Sequence, residues 1–116
     1  MVTRTDLKYL TEARELIADP ARWCQGDYAQ TRDGRPISYW NLSKIRNGVR
    51  FCALGALAYA GHKLTIESRL DEWLDNIAID LFGIDVISLN DTRTHQDILT
   101  LFDKAIEIAE FEVENA

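Results

Sequence analysis

The sequence predicts a mainly α fold: a compact bundle of about four helices around a buried central helix, with a short β-hairpin or extended loop between helices 1 and 2. Three observations predict it. Three segments repeat their apolar residues at the spacing of an amphipathic helix. A fourth, Phe51–Ala60, carries no charge at all, as befits a helix covered on every side. Between the first and the uncharged segment, two extended runs flank Asp33-Gly34, a pair that suits a tight hairpin turn.

The first helix is expected over about Asp6–Ala18, with Leu7, Leu10, Ala13, Leu16 and Ile17 on one face. Thr3 or Thr5 can cap it. Asp19-Pro20 stops it, because the residue before a proline avoids the helical region. Asp19 then caps a short turn with Pro20 in first position, and that turn carries Arg22-Trp23-Cys24. The hairpin pairs Tyr28–Arg32 with Arg35–Trp40; Pro36 lacks an amide donor, which places its strand at an edge. The central helix is expected over about Val49–Ala60 and closed by Gly61. Its Gly55 costs about 1 kcal/mol relative to alanine, which implies a close neighbour at that point. The next helix, about Ile66–Phe82, is capped by Thr65 and carries the stripe Leu70, Trp73, Leu74, Ile77, Ala78 and Leu81. An apolar connection, Ile84–Leu89, and a turn, Asn90–His95, lead to the last helix, about His95–Glu112. Thr94 with Asp97 reads as its capping box. His62, after Gly61, is expected at an exposed helix end.

A chain of 116 residues fits one domain, 1–116, and buries enough surface to fold without staples. The start of the chain shows no signal-peptide pattern and no run spans a bilayer. Cys24 and Cys52 are therefore expected as thiols in a cytoplasmic protein. The net charge of −6 is uneven. Residues 1–50 carry nine Lys/Arg and six Asp/Glu, a net of +3; residues 51–116 carry four and thirteen, a net of −9. An acidic chain is repelled by phosphate backbones, which argues against general nucleic-acid binding.

Several patches occur together in order: Arg22-Trp23-Cys24-Gln25-Gly26, Asp33-Gly34-Arg35-Pro36, Phe51-Cys52-Ala53-Leu54-Gly55-Ala56-Leu57, and Leu89-Asn90-Asp91 with Thr94-His95. In these the chain resembles a family of small bacterial and phage proteins catalogued as domain of unknown function 6197, from the first helix to Ile106. It departs from that pattern at Ser38–Gly48, which is basic and aromatic here. The resemblance implies a bacterial or phage origin and brings no activity with it.

Two sets of residues stand out chemically. Cys52 and His95 each lie at a helix start, with Asn90 and Asp91 before His95; a thiol, an imidazole and a carboxylate or amide are the parts of a nucleophilic site. Gln25 is a candidate oxyanion donor for it. The competing reading makes Cys52 a small buried hydrophobe and Asn90-Asp91-Thr94 a fixed corner. The second set is Arg35, Tyr39, Trp40 and Arg46, within a stretch from Arg32 to Arg50 that also holds Lys44 and opposes its cations with Asp33 alone. Arginine with exposed aromatics suits a protein contact, and also single-stranded nucleic acid. Cys24, Cys52, His62 and His95 match no zinc spacing, so no metal is expected, and no motif calls for a cofactor. The residues favour a small protein-binding or regulatory module with an unidentified protein partner, a second copy included. The alternatives are a cysteine-dependent hydrolase or transferase using Cys52, His95 and Asp91 or Asn90, and a phage or host-complex modulator with an acidic face.

Overall fold

The computed structural model describes residues 2–62 and 69–116, with the side chains of residues 39–42 outside that description. Among the described residues five α-helices surround a small antiparallel sheet. Helix α1, Arg4–Leu16, starts on a capping box in which Thr3 Oγ1 accepts from the Asp6 amide and Asp6 accepts from the Thr3 amide. Asp19 caps the short 3-10 turn Pro20–Arg22 through the Ala21 amide at 2.9 Å, as its position before proline foretells.

The hairpin forms from β1, Ala29–Gln30, and β2, Pro36–Ile37. Its loop is wider than a two-residue turn: the Gly34 amide reaches the Thr31 carbonyl and the Thr31 amide the Arg35 carbonyl, both at 2.9 Å. The left-handed conformation falls on Gly34 alone, at φ +84°, and not on Asp33. Pro36 does lie on an edge, because β1 is the middle strand: its other side pairs with β3, Arg50–Phe51.

That third strand corrects the expected central helix. Residues 50–51 pair with β1 in place of beginning a helix, and helix α2 spans only Ala53–Tyr59, with Cys52 as its N-cap. An uncharged run suits a buried strand as well as a buried helix, so composition alone does not separate them. Residues Ala53–Leu57 are all buried, and α2 packs against α1, α4 and the 3-10 segment Tyr39–Asn47. Gly55 meets its neighbour there: an added Cβ would stand 1.7 Å from the Tyr28 carbonyl oxygen.

Helix α3, Arg69–Phe82, buries Leu70, Leu74, Ile77 and Ala78, with Trp73 half-buried and Leu81 exposed. The proposed Thr65 cap and the start at Ile66 lie outside the described residues. The connection and turn expected over Ile84–His95 are instead largely a helix, α4, Val86–Thr92. Helix α5, His95–Glu114, starts on the Thr94–Asp97 capping box and packs most extensively on α1. His62 is not at an exposed end: its ring lies against Tyr9 and its Nε2 is 3.3 Å from Asp71 of α3. The buried side chains join in one core that draws on all five helices and the sheet. Among the described residues no helix is long and apolar enough to cross a membrane.

Candidate functional site

Three elements converge on the side chain of Asn90. The chain leaving the Pro20–Arg22 turn runs beside β3, with a parallel bridge from Trp23 to Phe51 and the Cys24 amide donating to the Phe51 carbonyl at 3.1 Å. Cys52 then turns the chain into α2. Helix α4 lays its last turn across both. Asn90, 1% exposed, sits at the crossing. Its Oδ1 accepts from Trp23 Nε1 at 2.8 Å and from the Ala53 amide at 3.0 Å; its Nδ2 donates to the Cys24 carbonyl at 3.0 Å and to Asp91 Oδ1 at 3.3 Å. The amide group thus satisfies both lone pairs and both hydrogens, which is what keeps a buried polar group from costing stability.

The neighbours complete the clasp. Asp91 Oδ1 accepts from the Gly26 amide at 2.9 Å. Gln25 Nε2 donates to the carbonyls of Asn90 and Arg93, at 3.1 and 2.9 Å, and so covers the open carbonyl end of α4. With both hydrogens spent there, Gln25 acts as a helix cap in this arrangement and not as an oxyanion donor.

Cys52 is buried, and the Gly55 amide donates to its sulfur at 3.3 Å. Burial pushes its thiol up to about 12, against the lowering effect of that amide. Cys24 is likewise pushed up to about 12, first by burial and next by the charge of Asp27. His95 Nε2 donates to the Ile17 carbonyl at 2.6 Å, and its ring lies against Trp23 with centroids 5.4 Å apart. Among the described residues no hydrogen bond joins Cys52 to His95. The structure therefore groups Cys52, Asn90 and Asp91 around one spot, while His95 ties α5 to the end of α1.

That spot is a small pocket of about 80 Å³, walled by the Gly26–Tyr28 loop, the start of α2 and one face of α4. Cys52, Asn90 and Asp91 all border it. Among the described residues no group of three or more His, Cys, Asp or Glu is placed to hold a metal ion.

The thiols give a pH prediction. The unfolded chain releases both thiol protons near the free-cysteine value of about 8.5, whereas the folded chain holds them to about 12. The native state then binds more protons than the unfolded one between these values, so stability falls as pH rises from about 9 to 12. Urea midpoints across that range are expected to decline, and Cys24→Ala with Cys52→Ala to flatten the decline. At pH 7 a thiol reagent is expected to label either cysteine only as the protein unfolds, because the reactive species is the thiolate.

The second candidate set lies on the hairpin side. Arg35 is exposed and pairs with Asp33 at 3.1 Å. Arg46 lays its guanidinium over the Tyr59 ring, 4.5 Å from the centroid. Arg50 is tied to Gln30 and to the Thr31 carbonyl. Arg32 and Lys44 are exposed. Tyr39 and Trp40 belong to the 3-10 segment, and their side chains lie outside the described residues.

Sequence reasoning named Asn90 as one part of a possible nucleophilic site or of a turn, and missed its role as the crossing point of three elements. The signal was present. Val86, Leu89 and Asn90 stand at i, i+3 and i+4, so once α4 is a helix, Asn90 occupies its buried face.

Neither a curated protein nor a solved structure matches the chain. A family model does, described as a family of unknown function (DUF6197), over residues 1–108. With nearly the whole chain matched, from before α1 to well inside α5, the protein belongs to that family.

Proposed function

We propose that the protein is a small binding module that engages an acidic protein surface through the cationic stretch Arg32–Arg50. One observation carries this reading: the stretch keeps its charge. Among the described residues no ion pair joins it to the acidic second half of the chain, and Asp33 is the only carboxylate paired within it. Arg32, Arg35, Lys44 and Arg46 are exposed together. Pairing with the acidic half therefore does not account for these cations among the described residues. Surface charge of this kind acts mainly on encounter rate and partner choice. A net charge of −6 repels an acidic protein and a phosphate chain alike at longer range, but the dense charge of a nucleic acid makes its repulsion the greater, which favours acidic protein.

A photo-cross-linking residue placed at Lys44 tests the reading in the cells that make the protein. The expected product is a discrete protein adduct, with the cross-linked peptide of the partner rich in Asp and Glu. Charge reversal by Arg35→Glu with Arg32→Glu is expected to lower its yield about tenfold. Adducts to nucleic acid, or a protein adduct untouched by charge reversal, would overturn the proposal.

A further inference from the structure

We infer that the pocket bordered by Asp27, Tyr28, Cys52, Leu54, Ile87 and Asp91 is a binding site for a short alkyl chain that ends in a cation, an alkylammonium or alkylguanidinium. The inference is independent of the cationic stretch and rests on what the pocket has left to offer.

Several donors around it are taken: at the start of α2 the Ala53 amide goes to Asn90 Oδ1 and the Gly55 amide to Cys52 Sγ. The Gly26 amide is held by Asp91 and the Asn90 side-chain hydrogens by Cys24 and Asp91. An anion entering the pocket would find no free hydrogen among these groups. Two carboxylates carry spare acceptor capacity. Asp27 uses Oδ2 for Gln30 and Asp91 uses Oδ1 for Gly26 and Asn90, while the other oxygen of each makes no hydrogen bond among the described residues. Among the described residues no Lys, Arg or His borders the pocket to neutralise them.

The rest of the wall suits a stem. Leu54, Val86, Ile87 and the Tyr28 ring residue present mostly apolar surface, and Cys52 contributes a protonated, uncharged sulfur. A room of about 80 Å³ fits a chain of a few carbons. Asp91 is exposed and Asp27 half-buried, so a cationic head between them keeps part of its water while the stem is buried, the arrangement in which lysine and arginine cover apolar surface elsewhere. A charge placed there avoids the full cost of desolvation.

The test titrates the full-length, 15N-labelled protein with n-butylammonium and n-butylguanidinium, and with 1-pentanol and pentanoate as neutral and anionic counterparts. The amide signals of Gly26, Ala53 and Leu54 are expected to shift saturably with the cations, about tenfold more weakly with the alcohol, and not with the anion. Asp91→Asn and Asp27→Asn keep an acceptor oxygen and are expected to bring the cations down to the alcohol's affinity. Nα-acetyl-lysine N-methylamide identifies the source: binding like butylammonium points to a side chain of a partner protein, exclusion points to a free amine. Absence of saturable shifts with both cations up to about 50 mM, or equal affinity for cation and anion on the native sequence, would overturn the inference whether or not the variants fold.

Discussion

Gly55→Ala is expected to cost at least about 3 kcal/mol, and to leave much of the protein unfolded at 37 °C if its total stability is at the low end of the usual range. The direction is opposite to that of local propensity. Alanine is better than glycine inside a helix by about 1 kcal/mol, and Gly55 has an ordinary helical backbone. The added Cβ would lie 1.7 Å from the Tyr28 carbonyl oxygen and 2.7 Å from its carbon, so either the loop or the helix must move. Neither is free to do so. The Tyr28 carbonyl accepts the Cys52 amide at 3.1 Å, and the loop before it is fastened to α4 through Gly26 and Asp91. Gly34→Ala is the matching control. It forces alanine to φ +84° with nothing within 4 Å of the new carbon, and is expected to cost only about 1–2 kcal/mol. Urea midpoints of both variants check the pair. A Gly55→Ala protein as stable as its parent would mean that the close approach of loop and helix is wrong.

The two glycines show how far the sequence could be read. A glycine in an uncharged helix announces a close neighbour, and the announcement is correct, but nothing in the residues around it names Tyr28. The same division runs through the fold. Helices α1, α3 and α5 are written in periodic apolar faces, and the capping boxes of α1 and α5, Thr3–Asp6 and Thr94–Asp97, are interactions over three residues. Strand β3 and helix α4 depend on distant partners. Residues 50–51 become a strand because Ala29–Gln30 offers an open edge. Helix α4 has seven residues, too few to be stable alone, and its own N-cap, Asp85, makes no side-chain capping bond. The acceptor for its first amide, Val86, comes from Asp75 of α3 at 3.0 Å. Asp75 sits partly out of water to do this, and its carboxyl is raised for that reason first, with the Val86 amide working in the opposite direction.

The candidate site divides the same way. Cys52, Asn90 and Asp91 were legible as residues of interest, and they do border one pocket. Their chemistry was not legible, because it depends on depth. A thiol at a helix start looks activated from sequence, through the helix dipole and free amides. Buried, and with α2 only seven residues long, the desolvation of a thiolate outweighs both, and the thiol stays protonated. Trp23 bonds Asn90 through Nε1 and lays its ring against His95, a link between the two residues that no spacing in the sequence displays.

Asn90 is where the fold and the pocket depend on the same atoms, and substituting it separates hydrogen bonding from charge. Asn90→Ala removes four hydrogen bonds and strands the Trp23 indole N–H, the Ala53 amide and the Cys24 carbonyl in the interior. At about 1–3 kcal/mol for each buried group left unpaired, partly relieved where water can enter from the pocket, the expected loss is about 3–5 kcal/mol. Asn90→Asp changes the shape hardly at all and tests the donor side. Its carboxyl oxygens can still accept from Trp23 and Ala53, but as a carboxylate it turns a second acceptor toward the Cys24 carbonyl and the Asp91 carboxylate. Protonated, the same group donates to Cys24 and the clasp is restored. The folded state therefore raises the carboxyl above its unfolded value, so stability is kept at low pH and lost as pH rises through the folded pKa. The urea midpoint of Asn90→Asp, taken relative to the parent, is expected to fall steadily from pH 4 to pH 8, whereas the deficit of Asn90→Ala stays level. If both deficits are level, the Asn90 amide does not donate to Cys24 and Asp91. A slope confined to Asn90→Asp means that the amide hydrogens are committed inside the clasp and are not offered to a ligand.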